Sequence, residues 1–353
     1  LSEEVFVTGI LADEETQLRC FNVHLDRSGR TKDEIISAIQ TSYAELENSI
    51  VLPQMEVFDE DNYNTTFRYV LNNSGIKVAK VGLEDLNISI PYVLSLIPEI
   101  EELKIEPQNI VYKNCAEIDC GLKNSRVFQV GRLHNNVSEN EFVLLLTEDE
   151  VTVAISLEQS GEVMRIKEYS SKQPKLFCDF PLVGTNSFPF PIIVNSSGFN
   201  PTEPRDGVFL TDNSNEKVEE NKNIMKKACS LYKKLLEYAS KRNWYGLYNI
   251  VSIKQYPLKD WFSKDWVDKN VVNVCKEHIK YCPIIDAPTG QRIALYDDIF
   301  GEEQAAFIIT ATDEESRNEI WSLANELYPE AIPCQQDIHC WYSSLWNDCR
   351  NLT

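Results

Sequence analysis

Three short segments near the start of the chain combine β-branched and aromatic residues and are bounded by polar turns. These segments, 5–11, 19–25 and 65–71, are predicted strands. Helical patterns lie between and after them, so the order of elements is β-β-α-β-α and the predicted fold class is α+β. Three strands with two helices make a thin sheet, and we expect this region to need partners that the chain lacks.

The two helices of this region are marked in different ways. Thr31 and Glu34 form a capping-box pattern ahead of apolar residues at helical spacing. The second helical pattern runs from 78 to 96. We expect it to be interrupted at Pro91, because proline removes a backbone hydrogen bond.

From about residue 107 the pattern changes to closely spaced strands that are joined by polar turns. The last three of these are typical of an antiparallel meander. No long helix is predicted in this region, which indicates a separate and mostly β unit. The five predicted strands are 109–115, 126–133, 141–146, 151–156 and 162–168.

A stretch with five prolines, 181–210, closes this unit and cannot form a helix. Its apolar part, PFPIIV, predicts one short strand at a sheet edge or at a strand start. The turn-forming run behind it presents one arginine, Arg205. Two interpretations stay open: a plain surface loop, or a rigid loop that fixes Arg205 to meet an anion.

The most regular helical pattern follows directly. Asn213 is the predicted N-cap, with Glu216 completing a capping box. Apolar residues recur at spacings of three and four and predict one buried face: Ile224, Ala228, Leu231, Leu235 and Tyr238. Lysines occupy the other faces, where we expect solvent: Lys222, Lys226, Lys227, Lys233 and Lys234.

The remainder of the chain mixes helices and strands. A second helical region near residue 260 carries Trp261 and Trp266, which are either core residues or part of a protein-binding surface. A strand at 305–310 and a helix that opens with the capping box of Thr312 and Glu315 predict a small α/β unit.

A chain of 353 residues is too long for one core and predicts several domains. The first residue is Leu and no signal segment follows, so we expect the chain to start partway through a longer protein. The predicted domains are 1–106, 107–215, 216–282 and 283–353.

The charge and the cysteine content of the chain limit the classes of partner and the cellular location that we expect. The net charge of −21 argues against nucleic acid, since phosphate contacts dominate such binding. No apolar run is long enough for a membrane span. Ten scattered cysteines without a CxxC pair predict a reducing, cytoplasmic location. Ten acidic residues against one base between Asp297 and Glu330 indicate a solvated acidic face.

Common catalytic and metal motifs are missing. The four histidines are far apart in the sequence, and no GxSxG, HExxH, Walker or GxGxxG pattern occurs. His339 lies among Cys334, Cys340 and Cys349, but the spacing of these cysteines fits no common zinc module. Two interpretations of this cluster are a zinc site, and thiols near a chain end that are buried or free. We assign no metal ligand.

The order of proline-rich loop, lone arginine and lysine-bearing helix resembles the middle domain of the ninety-kilodalton heat-shock chaperone family. The match is PFPIIVNSSGFNPTEPRDG followed by NKNIMKKACSLYKKLLEYASK. Sacsin-like bacterial proteins are more similar still, with a pattern that ends F-x-P-x-x-x-R and a stretch like LDRSGRTKDEIISAIQ. The resemblance implies that Arg205 reaches the γ-phosphate of ATP on a neighbouring nucleotide domain.

The front of the chain is similar to the last part of a GHKL-type (histidine kinase-like) ATPase domain. LSEEVFVTGIL resembles the strand after the nucleotide lid, and NTTFRYVL resembles the last strand. This match implies that Thr65 contacts the adenine region, although Asn64 stands where the family has glycine. The family's general-base Glu, metal-binding Asn, Asp-x-Gly-x-Gly turn and glycine-rich lid are all missing here.

The resemblance therefore implies a fragment: the back half of a nucleotide domain, a middle domain and a C-terminal region. The full-length protein is expected to hydrolyse ATP with Mg²⁺ and to act on protein clients. This chain alone is expected to be inactive and to need the upstream half of the nucleotide domain as its partner. The alternative is a non-enzymatic protein-interaction module that uses the acidic C-terminal region.

Overall fold

A computed structural model describes residues 2–12, 18–50, 64–160, 163–297, 303–311, 313–345 and 351–352. The chain divides into two compact units, the first ending at Leu86 and the second beginning at Asn87. The class is α+β, as predicted. The four domain ranges predicted from the sequence divide the chain more finely than this and stay a prediction.

The first unit is built on a small antiparallel sheet in the order β2-β1-β3. Its strands confirm the three segments predicted near the start of the chain. Val5 pairs with Leu25 on one side and with Tyr69 on the other, so one face of all three strands is apolar. The strands are β1 (Ser2–Ala12), β2 (Leu18–Asp26) and β3 (Thr66–Leu71).

Helix α1, Lys32–Ser49, begins with the predicted capping box, in which Thr31 accepts from the backbone of Glu34 and Glu34 accepts in return. The helix lies along the free edge of β2. Ser49 Oγ donates to the carbonyl of Asn22 at 2.8 Å and accepts from the amide of the same residue at 2.8 Å. These bonds satisfy an exposed strand edge, but none of the residues of α1 is buried.

Helix α2, Asn73–Leu96, is continuous through Pro91. The predicted interruption is wrong, and the reason is packing: Ile90, Tyr92, Val93 and Leu94 are all at most 3% exposed. Losing one helical hydrogen bond at proline costs about 3 kcal/mol, and burying four large side chains offsets that cost.

The second unit contains a ten-stranded sheet with the main order β11-β10-β12-β8-β7-β6-β5-β4. Its central strands form an antiparallel meander; β9 also pairs with β8, and β13 pairs in parallel with β9. The strands are β4 (Glu102–Ile105), β5 (Ile110–Ile118), β6 (Ser125–His134), β7 (Val137–Glu148), β8 (Val151–Ser160), β9 (Val163–Ile166), β10 (Leu176–Cys178), β11 (Phe180–Pro181), β12 (Ile193–Ser196) and β13 (Trp244–Tyr245).

Both faces of this sheet are covered at its centre. Leu144 and Ile155 belong to the main core, which contains the following helices, while Val143 and Ala154 belong to a second cluster on the opposite face with Tyr92. This explains the uninterrupted apolar runs of β7 and β8, since a strand that is buried on both faces has no polar side.

Strand β12 corrects the prediction for PFPIIV. It lies inside the sheet between β10 and β8 rather than at an edge. Pro189 and Pro191 both precede the first paired residue, Ile193, so neither proline removes a donor from the ladder. The predicted edge position is therefore wrong, whereas the predicted alternative, prolines at the start of the strand, agrees with the structure.

Helix α3, Glu216–Ser240, packs against the main core. Its N-cap is Asn215, which accepts from the amide of Val218, so the predicted cap at Asn213 is two residues early. Four of the five predicted face residues are buried, and Tyr238 is partly buried. Lys222 corrects the lysine prediction: it is 8% exposed, pairs with Glu219 and lies 5.7 Å from the Trp266 ring centroid.

The remaining elements lie in the C-terminal part of the second unit, and several of them contribute to the main core. The helices are α4 (Lys264–Val267), a π-helical turn (Asp268–Val272), α5 (Asn273–Tyr281), α6 (Glu314–Leu327) and α7 (Ile338–Ser344). The strands are β14 (Ile285–Asp286), β15 (Arg292–Ile293), β16 (Tyr296–Asp297), β17 (Glu303–Gln304), β18 (Ile308–Ile309) and β19 (Asn351–Leu352).

The start of α6 differs from the predicted capping box. Asp313 is the N-cap and accepts from the amide of Ser316 at 2.8 Å, and Thr312 lies outside the described residues. No helix in the described ranges has an apolar stretch long enough to cross a membrane.

Candidate functional site

Arg205 lies at the tip of a closed hairpin loop between β12 and α3. Pro201 and Val208 pair as an antiparallel bridge, and the amide of Thr202 donates to the carbonyl of Gly207 at 2.9 Å. Inside that ring the amide of Arg205 donates to the carbonyl of Thr202 at 2.9 Å. We call residues 201–208 the arginine loop.

Side chains lock the arginine loop from within. Thr202 Oγ1 donates to Asp206 Oδ1 at 2.7 Å and accepts from the amide of Asp206 at 3.1 Å. Thr202 is only 8% exposed, so water competes poorly for these bonds. The carboxylate of Asp206 is therefore used to shape the loop.

A tryptophan packs directly on the backbone of the arginine loop. A Cβ placed on Gly207 would lie 2.3 Å from Cε2 of Trp261, so only glycine leaves room for the indole ring. Trp261 is 6% exposed and also stacks with Phe188 and Phe262. Trp261 is therefore a core residue, and this contact holds one side of the loop.

Helix α3 holds the other side of the arginine loop through the buried side chain of Asn221. Asn221 is fully buried; its Nδ2 donates to the carbonyls of Asn200 and Phe209, and its Oδ1 accepts from the amide of Asn200 at 2.8 Å. These three bonds tie both ends of the arginine loop to the helix. The order of loop and helix along the chain thus has a structural basis.

The backbone of Arg205 is left-handed, with φ of 57°. For a residue with a side chain this conformation costs about 1–2 kcal/mol, so the loop must hold it in place. The side chain is exposed, and one terminal nitrogen donates to the carbonyl of Cys178 at 3.0 Å. Among the described residues Arg205 forms no ion pair, so the charge of its guanidinium is not neutralised by a carboxylate.

Exposed apolar side chains lie on the segment 178–184, which contacts the arginine loop. Phe180 is 52% exposed and lies two residues beyond Cys178, and Val183 is 68% exposed. Gly184 places its segment against the loop, because a Cβ there would be 3.5 Å from Cβ of Asp206. A charged donor beside a segment with exposed apolar side chains is typical of a site that meets another molecule.

Thr65 belongs to the first unit and stands immediately before β3. Its side chain is exposed, and its Oγ1 lies against Gly9 of β1, where a Cβ would approach it to 2.8 Å. The hydroxyl is thus accessible at a strand end. Contact with an adenine ring stays a prediction for this residue.

The other candidate chemistry of the sequence does not assemble into a site. Within the described ranges no three His, Cys, Asp or Glu side chains are placed to hold a metal ion. His339 instead lies 3.3 Å from a guanidinium nitrogen of Arg317, which is buried. Cys349 lies outside the described residues, so the structure describes only three of the four residues considered for a zinc site.

Sequence reasoning found Arg205 but missed the residues that hold it. Thr202 and Asp206 are four residues apart in a turn-forming run, so their contact is local along the chain. Asn221 was also detectable, as a polar residue on the buried stripe of a helix. The contact between Gly207 and Trp261 joins residues 54 positions apart, and no local pattern predicts it.

No protein-family model, curated protein or solved structure matches this chain.

Proposed function

We propose that this chain is part of an ATP-binding, sacsin-like chaperone-type ATPase, in which the arginine loop supplies Arg205 to the γ-phosphate of ATP. The observation that carries the proposal is the left-handed, internally clamped backbone of Arg205 beneath an exposed guanidinium that pairs with no carboxylate of the described residues. Strain held by surrounding contacts is characteristic of functional positions. The guanidinium suits phosphate, because its planar fork binds two oxygens at once.

In the proposed reaction Arg205 stabilises the negative charge that develops on the transferred phosphoryl group. Because the loop is already closed by hydrogen bonds, little conformational entropy is lost when the arginine engages. The residues that bind ATP and Mg²⁺ would come from the upstream half of the nucleotide domain, with Thr65 beside the adenine. This chain then contributes charge and positioning rather than a complete site.

The exposed surface of the first unit supports a missing partner. Ile39 and Tyr43 on α1 are 50% and 64% exposed, and Phe67 and Tyr69 on β3 are 61% and 57% exposed. Apolar surface of this extent on two elements of one unit is expected where another segment packs. A cytoplasmic location accords with the described cysteines, which are all free thiols.

The decisive experiment is Arg205→Ala in a protein that includes the upstream nucleotide-binding half. We expect ATP hydrolysis to fall by about 10³-fold or more, as for loss of an arginine finger, while ATP affinity changes little. Arg205→Lys should restore only part of the rate, since lysine lacks the planar fork. Normal turnover in Arg205→Ala would refute the proposal.

Arg242→Ala is a matched control. Arg242 is also an exposed arginine whose terminal nitrogen donates to a cysteine carbonyl, that of Cys120 at 3.3 Å, and it lies on the ring of Tyr238. Its removal should leave hydrolysis unchanged. Calorimetry on the chain alone should show no ATP binding, and saturable binding would contradict the assignment of the missing half.

A second candidate is a protein-interaction module in the acidic C-terminal region. Helix α6 exposes Leu323, Leu327 and the adjoining Tyr328, at 65%, 68% and 55%, among acidic side chains. If this surface carries the function, Leu323→Ser with Leu327→Ser should abolish capture of a partner whose binding survives removal of residues before 107. Arg205→Ala should then have no effect.

A further inference from the structure

A cavity of about 290 Å³ in the second unit is separate from the arginine loop and contains an unusual lysine. Lys175 lines it directly before β10. The polar residues around it include Ser252, Lys254 and Asn249. The aromatic and proline residues on the other side include Tyr169 and Phe190.

The amine of Lys175 is held by neutral groups. Nζ donates to the carbonyl of Pro191 at 3.0 Å and lies 3.7 Å from the centroid of the Tyr169 ring. The Tyr169 hydroxyl donates to the carbonyl of Ala154 at 3.1 Å, which fixes that ring beneath the amine. Within the described part of the chain Lys175 forms no ion pair, although Glu168 also lines the cavity.

The carbonyl of Pro191 and the ring of Tyr169 stabilise an ammonium group, whereas burial of the amine and the nearby charge of Lys254 act against it. Desolvation, followed by the charge of Lys254, lowers the pKa of Lys175 to about 7. Burial raises the pKa of Tyr169, so that hydroxyl stays neutral at neutral pH. A desolvated lysine beside a second cation is the arrangement that activates an amine as a nucleophile.

The cavity also offers groups for a ligand. Lys254 is exposed and provides a positive charge on the cavity wall, and the hydroxyl of Ser252 is buried with no hydrogen-bond partner in the described residues. A ligand with an anionic group would pair with the charge of Lys254. The space of about 290 Å³ suits a small molecule rather than a peptide.

We propose that Lys175 forms a Schiff base with a small carbonyl compound that carries an anionic group. The nitrogen lone pair forms a bond to the carbonyl carbon, and the carbonyl oxygen takes up a proton from the amine to give a carbinolamine. That oxygen then takes the second amine proton and leaves as water, with the C=N bond formed. The step consumes no oxidant or reductant.

The test uses pyridoxal 5′-phosphate on the full chain at pH 7, with borohydride reduction and mapping of the labelled peptides. The exposed Lys226 is the internal reference. About half of the Lys175 amine is uncharged at this pH, against about one in several thousand for an ordinary lysine. We expect labelling at Lys175 to be at least about 10-fold faster than at Lys226.

Three controls make the result decisive. Pyridoxal without phosphate should label Lys175 more slowly, and equal rates would overturn the anionic part of the proposal. Lys175→Arg should lose the label while Lys254→Arg keeps it. In urea the preference for Lys175 over Lys226 should vanish, which tests the cavity even where Lys175→Arg fails to fold. Labelling at Lys175 that is absent, or no faster than at Lys226, would overturn the proposal.

Discussion

The two units of this chain contain similar proportions of apolar residues but bury them to different extents. In the second unit Leu144 and Ile155 are fully buried between layers of other side chains. In the first unit Ile39, Tyr43 and Phe67 leave half or more of their surface exposed. Apolar burial is the dominant favourable contribution to folding, so the second unit contains most of its own stability and the first does not.

The comparison shows which unit can stabilise a strained loop by its own packing and which unit is expected to need a partner. A sheet covered on both faces can hold a strained loop such as that of Arg205, because the surrounding packing supplies the free energy. A three-stranded sheet with one helix along its edge has no such reserve. The exposed face of the first unit is therefore the place where the proposed partner is expected to pack.

The sharpest test of the comparison is a pair of core truncations. Ile155→Ala in β8 removes a fully buried side chain and should lower the free energy of unfolding by about 2–5 kcal/mol. Ile39→Ala in α1 removes a side chain that is 50% exposed and should cost about 0.5 kcal/mol or less. Urea unfolding followed by tryptophan fluorescence and by circular dichroism measures both.

Fluorescence separates the units, because all six tryptophans lie beyond residue 243 and report only on the second. Circular dichroism reports helices in both. A loss above about 1 kcal/mol for Ile39→Ala would show that α1 is packed, and the contrast between the units would fail.

Features of the fold that depend on neighbouring residues were predicted better from the sequence than features that depend on contacts between distant segments. The capping box of Thr31 and the strand β1 depend on local sequence, and both were predicted correctly, although the cap of α3, also local, was predicted two residues early. The continuity of α2 through Pro91 depends on burial that only the folded chain supplies, and it was predicted wrongly. The left-handed backbone of Arg205 was not predicted, since it arises from a hydrogen-bonded loop clamped by Trp261 from a distant segment.

Two glycine substitutions should have effects of opposite sign in the two units. Gly207→Ala places a Cβ 2.3 Å from the ring of Trp261, and we expect a loss of about 1–3 kcal/mol together with changed tryptophan fluorescence. Gly82→Ala, on α2 of the first unit, meets no atom within 4 Å and should gain about 0.5–1 kcal/mol from helix propensity. Thermal unfolding of each variant measures the sign.

The same pair also tests the arginine loop. In the protein with a complete nucleotide domain, Gly207→Ala should reduce ATP hydrolysis in the direction of Arg205→Ala, because the loop can no longer close against Trp261. Gly82→Ala should leave it unchanged. If Gly207→Ala were as stable and as active as the parent chain, the indole would not be clamping the loop.

The smallest effects concern the N-caps of α1 and α3. Removing a cap should reduce hydrogen-exchange protection over different lengths of helix in the two units. Thr31→Ala and Asn215→Ala each remove one side-chain acceptor and should each cost about 1 kcal/mol. Helix α3 is held by a buried face, so only its first turn should exchange faster in hydrogen exchange. Helix α1 has no buried residue, so its whole length should lose protection.

Acid gives an independent measure of the α1 cap. Hydrogen bonds from the amides of Arg30 and Thr31 lower the pKa of Glu34. The stabilisation is therefore complete above the unfolded-state pKa of about 4.3 and is lost as the pH falls below it. Protection of α1 should decline over that range in the parent chain, and Glu34→Gln should remove the pH dependence. Equal spreading of exchange in α1 and α3 would mean that burial, the difference on which the comparison rests, does not decide their stability.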